Sequence, residues 1–141
     1  MTNQIYSCLW FDGQAKAAAN FYCSIFPDSK ILHDSGMVVN FELNKQKFMA
    51  LNGGPNFQFN EAVSFVIPCK DQKEIDHYWS KLTTDGGKEG NCGWCKDKFG
   101  LSWQVVPSIL GELMSNPENG KRVAQAFMKM KKFDIEALKN T

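Results

Sequence analysis

The order of apolar and polar positions changes period several times along the chain. Residues 5–11 are apolar and aromatic and stop at Asp12-Gly13, a turn signal, so a strand is predicted there. From residue 14 to 26 the spacing becomes helical. Ala15, Ala18, Ala19, Tyr22 and Phe26 recur on one face, Phe21 and Ile25 widen the stripe, and Pro27 ends it. Strands are predicted over 30–33, 37–43 and 47–52, with a turn at Asn44-Lys45-Gln46 and a break at Gly53-Gly54-Pro55.

The second half repeats this order. Residues 62–69 read as a strand, and residues 71–83 as an amphipathic helix with Ile75, Tyr78, Trp79 and Leu82 on one side, ended near Gly86-Gly87. Residues 93–96 and 101–106 are strand-like, separated by Asp97-Lys98-Phe99-Gly100, and Pro107 closes the last of them. Helical patterns follow over 108–114, 117–131 and 135–139. Ala18, Phe21, Tyr22 and Ile25 fall onto Ile75, Tyr78, Trp79 and Leu82 at a constant shift, and the same shift carries Ser7 onto Ser64. A long period seen only twice predicts a paired module within one domain: module one over about residues 1–56, module two over about 57–107, and a helical segment over 108–141.

Composition narrows the class without naming a function. With 141 residues, 43% hydrophobic and 22% charged, the chain has the make-up of one ordinary globular domain. A formal net charge of +1 gives no electrostatic case for nucleic acid or an anionic membrane. No apolar run approaches the ~18 residues of a spanning helix. The first residues lack the basic and apolar regions of an export signal. Five cysteines form no disulfide framework and fit free thiols in a reducing compartment. A cytoplasmic location is therefore expected.

The residues Leu9-Trp10-Phe11-Asp12-Gly13-Gln14-Ala15, Phe21-Tyr22 and Ile25-Phe26-Pro27-Asp28-Ser29 carry a resemblance. So do residues 48–55, Gly93-Trp94, residues 97–104 and Met130-Lys131-Lys132-Phe133-Asp134-Ile135. Together they resemble the vicinal oxygen chelate superfamily, the glyoxalase and bleomycin-resistance fold. Within it they resemble the PhnB-like branch that carries the 3-demethylubiquinone-9 3-methyltransferase domain label. The resemblance implies an α+β fold of two βαβββ modules forming cupped mixed sheets, with C-terminal helices, and a homodimer. In enzymes of that superfamily His or Glu residues from the first and last strand of each module hold a divalent metal, which polarises an oxygen of the substrate. Carried over, those positions fall on Ser64 and Gln104 in module two, and on Ser7 and either Ala50 or Asn52 in module one. None is an imidazole or carboxylate, so neither a metal at that position nor a cofactor is expected. Methyl transfer from S-adenosylmethionine in the common fold would need a Gly-rich loop between a strand and a helix; Gly53-Gly54 follows a strand, but no helical pattern follows Pro55.

Other constellations point to structure. Cys92-Gly93-Trp94-Cys95 has redox or zinc spacing, yet it enters a strand rather than a helix N-terminus and lacks further ligands. His33 and His77 read as surface or satisfied histidines. Lys129, Lys131 and Lys132 read as a solvated helix face. Trp79 belongs to a helix core face, whereas Trp10, Trp94 and Trp103 read as core or pocket. The function expected is a small-molecule binder that holds a small amphipathic or oxygenated ligand at Ser7, Asn52, Ser64, Trp103 and Gln104. The resemblance also admits an enzyme (a lyase, isomerase or transferase, the labelled methyltransferase included). A structural homodimer without a ligand is the third expectation.

Overall fold

A computed structural model of the chain describes residues 3–141. It divides into two compact units, Met1–Phe59 and Asn60–Thr141.

The first unit contains β1 (Ser7–Phe11), α1 (Ala15–Ile25), β2 (Lys30–Asp34), β3 (Val38–Leu43) and β4 (Gln46–Asn52). Its sheet has the order β1-β4-β3-β2, with β1 parallel to β4 and the other pairs antiparallel. The stripe Ala15, Ala18, Ala19, Tyr22 and Ile25 is buried, because small residues early in α1 let the helix lie close to the sheet. Phe26 at the C-cap is already extended, as the proline after it requires. Tyr22, Phe41 and Phe48 stack in succession at the centre of the unit. Asn44 and Lys45 both take positive φ, +49° and +70°, the backbone that a tight hairpin between β3 and β4 demands.

The second unit contains β5 (Ser64–Cys69), α2 (Gln72–Thr83), β6 (Lys88–Glu89), β7 (Trp94–Lys96) and β8 (Ser102–Pro107), in the sheet order β5-β8-β7-β6. Asp71 caps α2 by accepting the Glu74 N–H at 2.9 Å, while the Glu74 side chain accepts the Lys70 N–H. Ile75, Tyr78, Trp79 and Leu82 are buried against the sheet. After β8 come α3 (Leu110–Ser115), α4 (Gly120–Phe127) and α5 (Ile135–Lys139).

This is the expected α+β architecture of two βαβββ modules with helices at the end. Three details differ from the sequence reading. β6 has no counterpart in the sequence pattern, since two charged residues show no alternation. Pro107 lies inside β8 rather than after it, and α4 stops at Phe127, short of the expected residue 131. The segment after α4 is tied down instead. Gln72 donates to the Phe133 carbonyl and accepts the Ile135 N–H, both at 2.9 Å. Phe133 lies where a Cβ on Gly93 would come within 2.4 Å of its ring, so only glycine fits there. No helix among the described residues is long and apolar enough to cross a membrane.

Candidate functional site

Side chains along a strand alternate between faces, and residues paired in register share a face. In the second sheet, Phe65, Ile67 and Cys69 of β5 share one face with Trp103, Val105 and Pro107 of β8 and Cys95 of β7. That face holds most of the buried side chains of the sheet and packs under α2. The far face carries Ser64 and Val66 of β5, Ser102 and Gln104 of β8, Trp94 and Lys96 of β7, and Lys88 of β6.

The structure brings Ser64 and Gln104 together: the Gln104 carboxamide donates to Ser64 Oγ at 2.9 Å, across the parallel β5–β8 pair. Beside them a cavity of about 290 Å³ is lined by Glu61, Lys88, Glu89, Gly90, Trp94, Cys95, Lys96 and Ser102. Lys96 meets the Glu61 carboxylate at 3.1 Å, and this bond holds the Glu61 carboxyl below the usual range. Ser102 is fully buried, and its hydroxyl has no hydrogen-bond partner. An orphaned buried hydroxyl on a cavity wall is a polar group in want of a partner.

Three of the expected ligand-facing residues lie elsewhere. Trp103 is on the α2 face, 3% exposed, with its indole N–H donated to Asp97 Oδ2 at 2.8 Å. In the first unit Ser7 and Asn52 share the α1 face with Leu9, Phe11 and Ala50. Asn52 accepts the Ala15 N–H at 2.9 Å and donates to the Gly36 carbonyl at 3.0 Å, so its side chain anchors the start of α1. For Trp103 the reason is that it neighbours Gln104 on one strand, and for Ser7 it is a loop of unequal length. Gln14 and Asp71 hold equivalent helix-cap positions, but three residues separate β1 from α1 and two separate β5 from α2. The shift that aligns the helices is therefore one residue wrong for the strands, and a slip of one exchanges the faces of a strand. On the far face of the first sheet stand Cys8, Trp10, Asn40, Met49 and Leu51 instead.

Ser64 and Gln104, the residues onto which the resemblance carries the metal position, do not make a set that fits a divalent ion. A hydroxyl and a carboxamide that turns its NH₂ group onto that hydroxyl make a neutral pair, without a charged or imidazole donor. Among the described residues no group of three or more His, Cys, Asp or Glu is placed to hold a metal. Gly53 and Gly54 both donate to the Phe11 carbonyl, and Trp10 lies where a Cβ on Gly53 would come within 2.4 Å of its ring. Trp10 also donates its indole N–H to the Gly54 carbonyl at 2.9 Å. Gly53 thus serves close packing against Trp10 and Gly54 a turn at φ +102°, and no helix follows them before β5. Cys95 is 2% exposed, and burial, reinforced by Asp97 and Glu89, pushes its thiol up to about 12, which leaves it a poor nucleophile.

Sequence reasoning named Ser64 and Gln104 but not Lys88, Lys96, Ser102 or Glu61. Lys88, Lys96 and Ser102 share a face only through the pairing of β6, β7 and β8, which no single strand's pattern encodes, and Glu61 joins them from the loop before β5.

The family model described as 3-demethylubiquinone-9 3-methyltransferase matches residues 3–106. A PhnB protein from Bacillus cereus is 31% identical with a TM-score of 0.67, over 74% of this chain and 99% of that one. A glyoxalase/bleomycin resistance protein from Albidiferax ferrireducens shares the fold at 9% identity and a TM-score of 0.52, over 71% of this chain and 93% of that one. The fosfomycin resistance protein FosX from Listeria monocytogenes shares it at 11% identity and 0.53, over 75% and 91%. No curated protein matches. Matched over most of its length, and carrying the paired βαβββ sheets of these neighbours, the chain belongs to the 3-demethylubiquinone-9 3-methyltransferase family, the PhnB-like branch of the glyoxalase and bleomycin-resistance fold.

Proposed function

We propose that this chain is a small-molecule-binding protein that takes a small amphipathic, oxygen-bearing ligand on the far face of its second sheet without using a metal. The observation that carries the reading is the cavity of about 290 Å³ with a fully buried, unpartnered Ser102 hydroxyl in its wall. Its volume suits a compact ligand, with Trp94 as the flat apolar surface and a few polar groups to fix orientation. Ser64 and Gln104 lie beside it in a mutual hydrogen bond that a ligand carbonyl or amide can take over. Exchanging one hydrogen bond for another has a small net cost, so the pair can open. Two proteins that share the fold are named for antibiotic resistance, one a glyoxalase/bleomycin resistance protein and one a fosfomycin resistance protein, which supports a small-molecule ligand for this chain. The free cysteines suit the reducing cytoplasm, and the protein is proposed to act there as a homodimer.

The test is a thermal-shift screen against divalent metals, S-adenosylmethionine, antibiotics and quinones. A ligand of the native state at a hundredfold excess over its Kd raises stability by about 2.7 kcal/mol, which such a screen registers. A shift with an organic compound, lost in Trp94→Ala and unaffected by chelator, is the expected result. A shift with metal alone, abolished by chelator, overturns the reading, and one with S-adenosylmethionine moves it to the transferase that the family description names.

A further inference from the structure

The register of the second sheet lines up four polar side chains in one row. Lys88 stands opposite Lys96 across β6 and β7, Lys96 opposite Ser102 across β7 and β8, and Ser102 opposite Ser64 across β8 and β5. Two ammonium groups and two hydroxyls thus lie side by side on the face turned away from α2, and Lys88, Lys96 and Ser102 line the cavity. Like charges placed directly across a strand pair repel. Protection of the sheet edge accounts for charge on β6, but not for a second lysine directly opposite Lys88 on β7. Their compensation is incomplete: Glu61, from the loop before β5, reaches Lys96, its side chain 64% exposed, and no carboxylate is paired with Lys88 among the described residues. Glu89, the other acid in the cavity wall, is in register with Cys95, so its side chain belongs to the opposite face.

We infer that the cavity is an acid-binding subsite: the ligand carries a carboxylate or phosphonate-type anion that sits between Lys88 and Lys96, hydrogen-bonds the Ser102 hydroxyl, and displaces Glu61. This deepens the binding function proposed above and rests on it. The ligand's oxyanion completes what the fold leaves open. It neutralises the lysine pair, supplies Ser102 with the acceptor it lacks, and leaves the ligand's apolar body against Trp94. Glu61 acts as a stand-in, an exposed carboxylate on a loop that occupies Lys96 until a better-placed anion arrives. Lys96 is the less exposed lysine, its side chain 35% exposed, and so forms the stronger of the two contacts.

Three probes of one shape test this: benzoate, phenylphosphonate and neutral benzamide. Each is titrated by calorimetry at low salt, with the Trp94 indole resonance followed to place the binding. Wild type is expected to bind one or both acids about tenfold or more tighter than benzamide, a difference of about 1.4 kcal/mol. Lys96→Gln is expected to remove that preference and the exposed Lys88→Gln to reduce it, while Glu61→Gln tightens acid binding severalfold by releasing Lys96. Which acid binds tighter identifies the headgroup. Benzamide binding as tightly as benzoate at Trp94, unmoved by either lysine change, overturns the acid subsite while leaving the binding function standing. If no probe shifts the Trp94 resonance of folded protein, both fall.

Discussion

Asp97 sits at the turn into β8, 2% exposed, and takes three N–H groups: Phe99 at 2.8 Å and Leu101 at 3.1 Å on one oxygen, and the Trp103 indole at 2.8 Å on the other. A buried carboxylate is tolerable only when its oxygens are occupied in this way. Asp97→Ala leaves three donors without an acceptor, and each buried orphan costs about 1–3 kcal/mol, so a loss of about 3–5 kcal/mol is expected. Trp103→Ala falls in the same range, because it empties a large core position. Both are read from urea midpoints at unchanged slope. A loss under about 1 kcal/mol for either would remove the turn from the core of the second unit. Cys95 gives a pH dependence. Its folded thiol, pushed up mainly by burial to about 12 from 9.0, favours the native state fully below the ordinary thiol range. That contribution fades as pH climbs from 9 toward 12. The stability advantage of wild type over Cys95→Ala should therefore shrink across that window, and a flat difference would place the thiol in contact with water.

At the scale of elements, α1 and α2 begin differently. Asp71 caps α2 from its own chain neighbourhood, whereas Gln14 makes no side-chain cap bond and the N-terminus of α1 is served by Asn52 from the end of β4. Asn52→Ala is expected to destabilise the first unit by about 1–2 kcal/mol, as a lost cap does, with no change in the affinity of any ligand of the second sheet. A loss of ligand affinity with stability intact would return Asn52 to a binding role. This residue also marks what a sequence can and cannot reveal. Helical stripes and most strands were legible, because periods of 3.6 and 2 are local properties of the chain. The repeat is legible too, but the offset that the helical stripes set does not hold for the strands. One extra residue in the Asp12-Gly13-Gln14 connection moves Ser7 to the α1 side of its sheet, while Ser64 stays on the far face of its own. Ser102 is one serine within a predicted strand, and Lys88 lies outside every predicted strand. Their meaning lies in cross-strand register, which depends on which strands pair and where.

For the whole molecule, the edges of the two sheets are protected unequally. β2 carries Lys30, His33 and Asp34 and an irregularity between Ile31 and His33, and β6 is only Lys88–Glu89; charge, bulge and brevity are the usual means of keeping an edge from pairing. The opposite edges lack most of these devices. β1 contains no charged residue and is preceded by exposed Ile5 and Tyr6. β5 has Pro68 near its end, but Val63 and Val66 stand exposed on or beside it. Apolar, uncharged edges on one side of each sheet fit coverage by a second copy of the chain, which supports the proposed homodimer. Sedimentation velocity at micromolar concentration is expected to give the mass of two chains. Ile5→Lys with Val66→Lys places a charge beside each edge and should shift the species toward one chain, while circular dichroism stays that of the folded protein. If wild type sediments as a single chain up to tens of micromolar, the proposed dimer has to be abandoned.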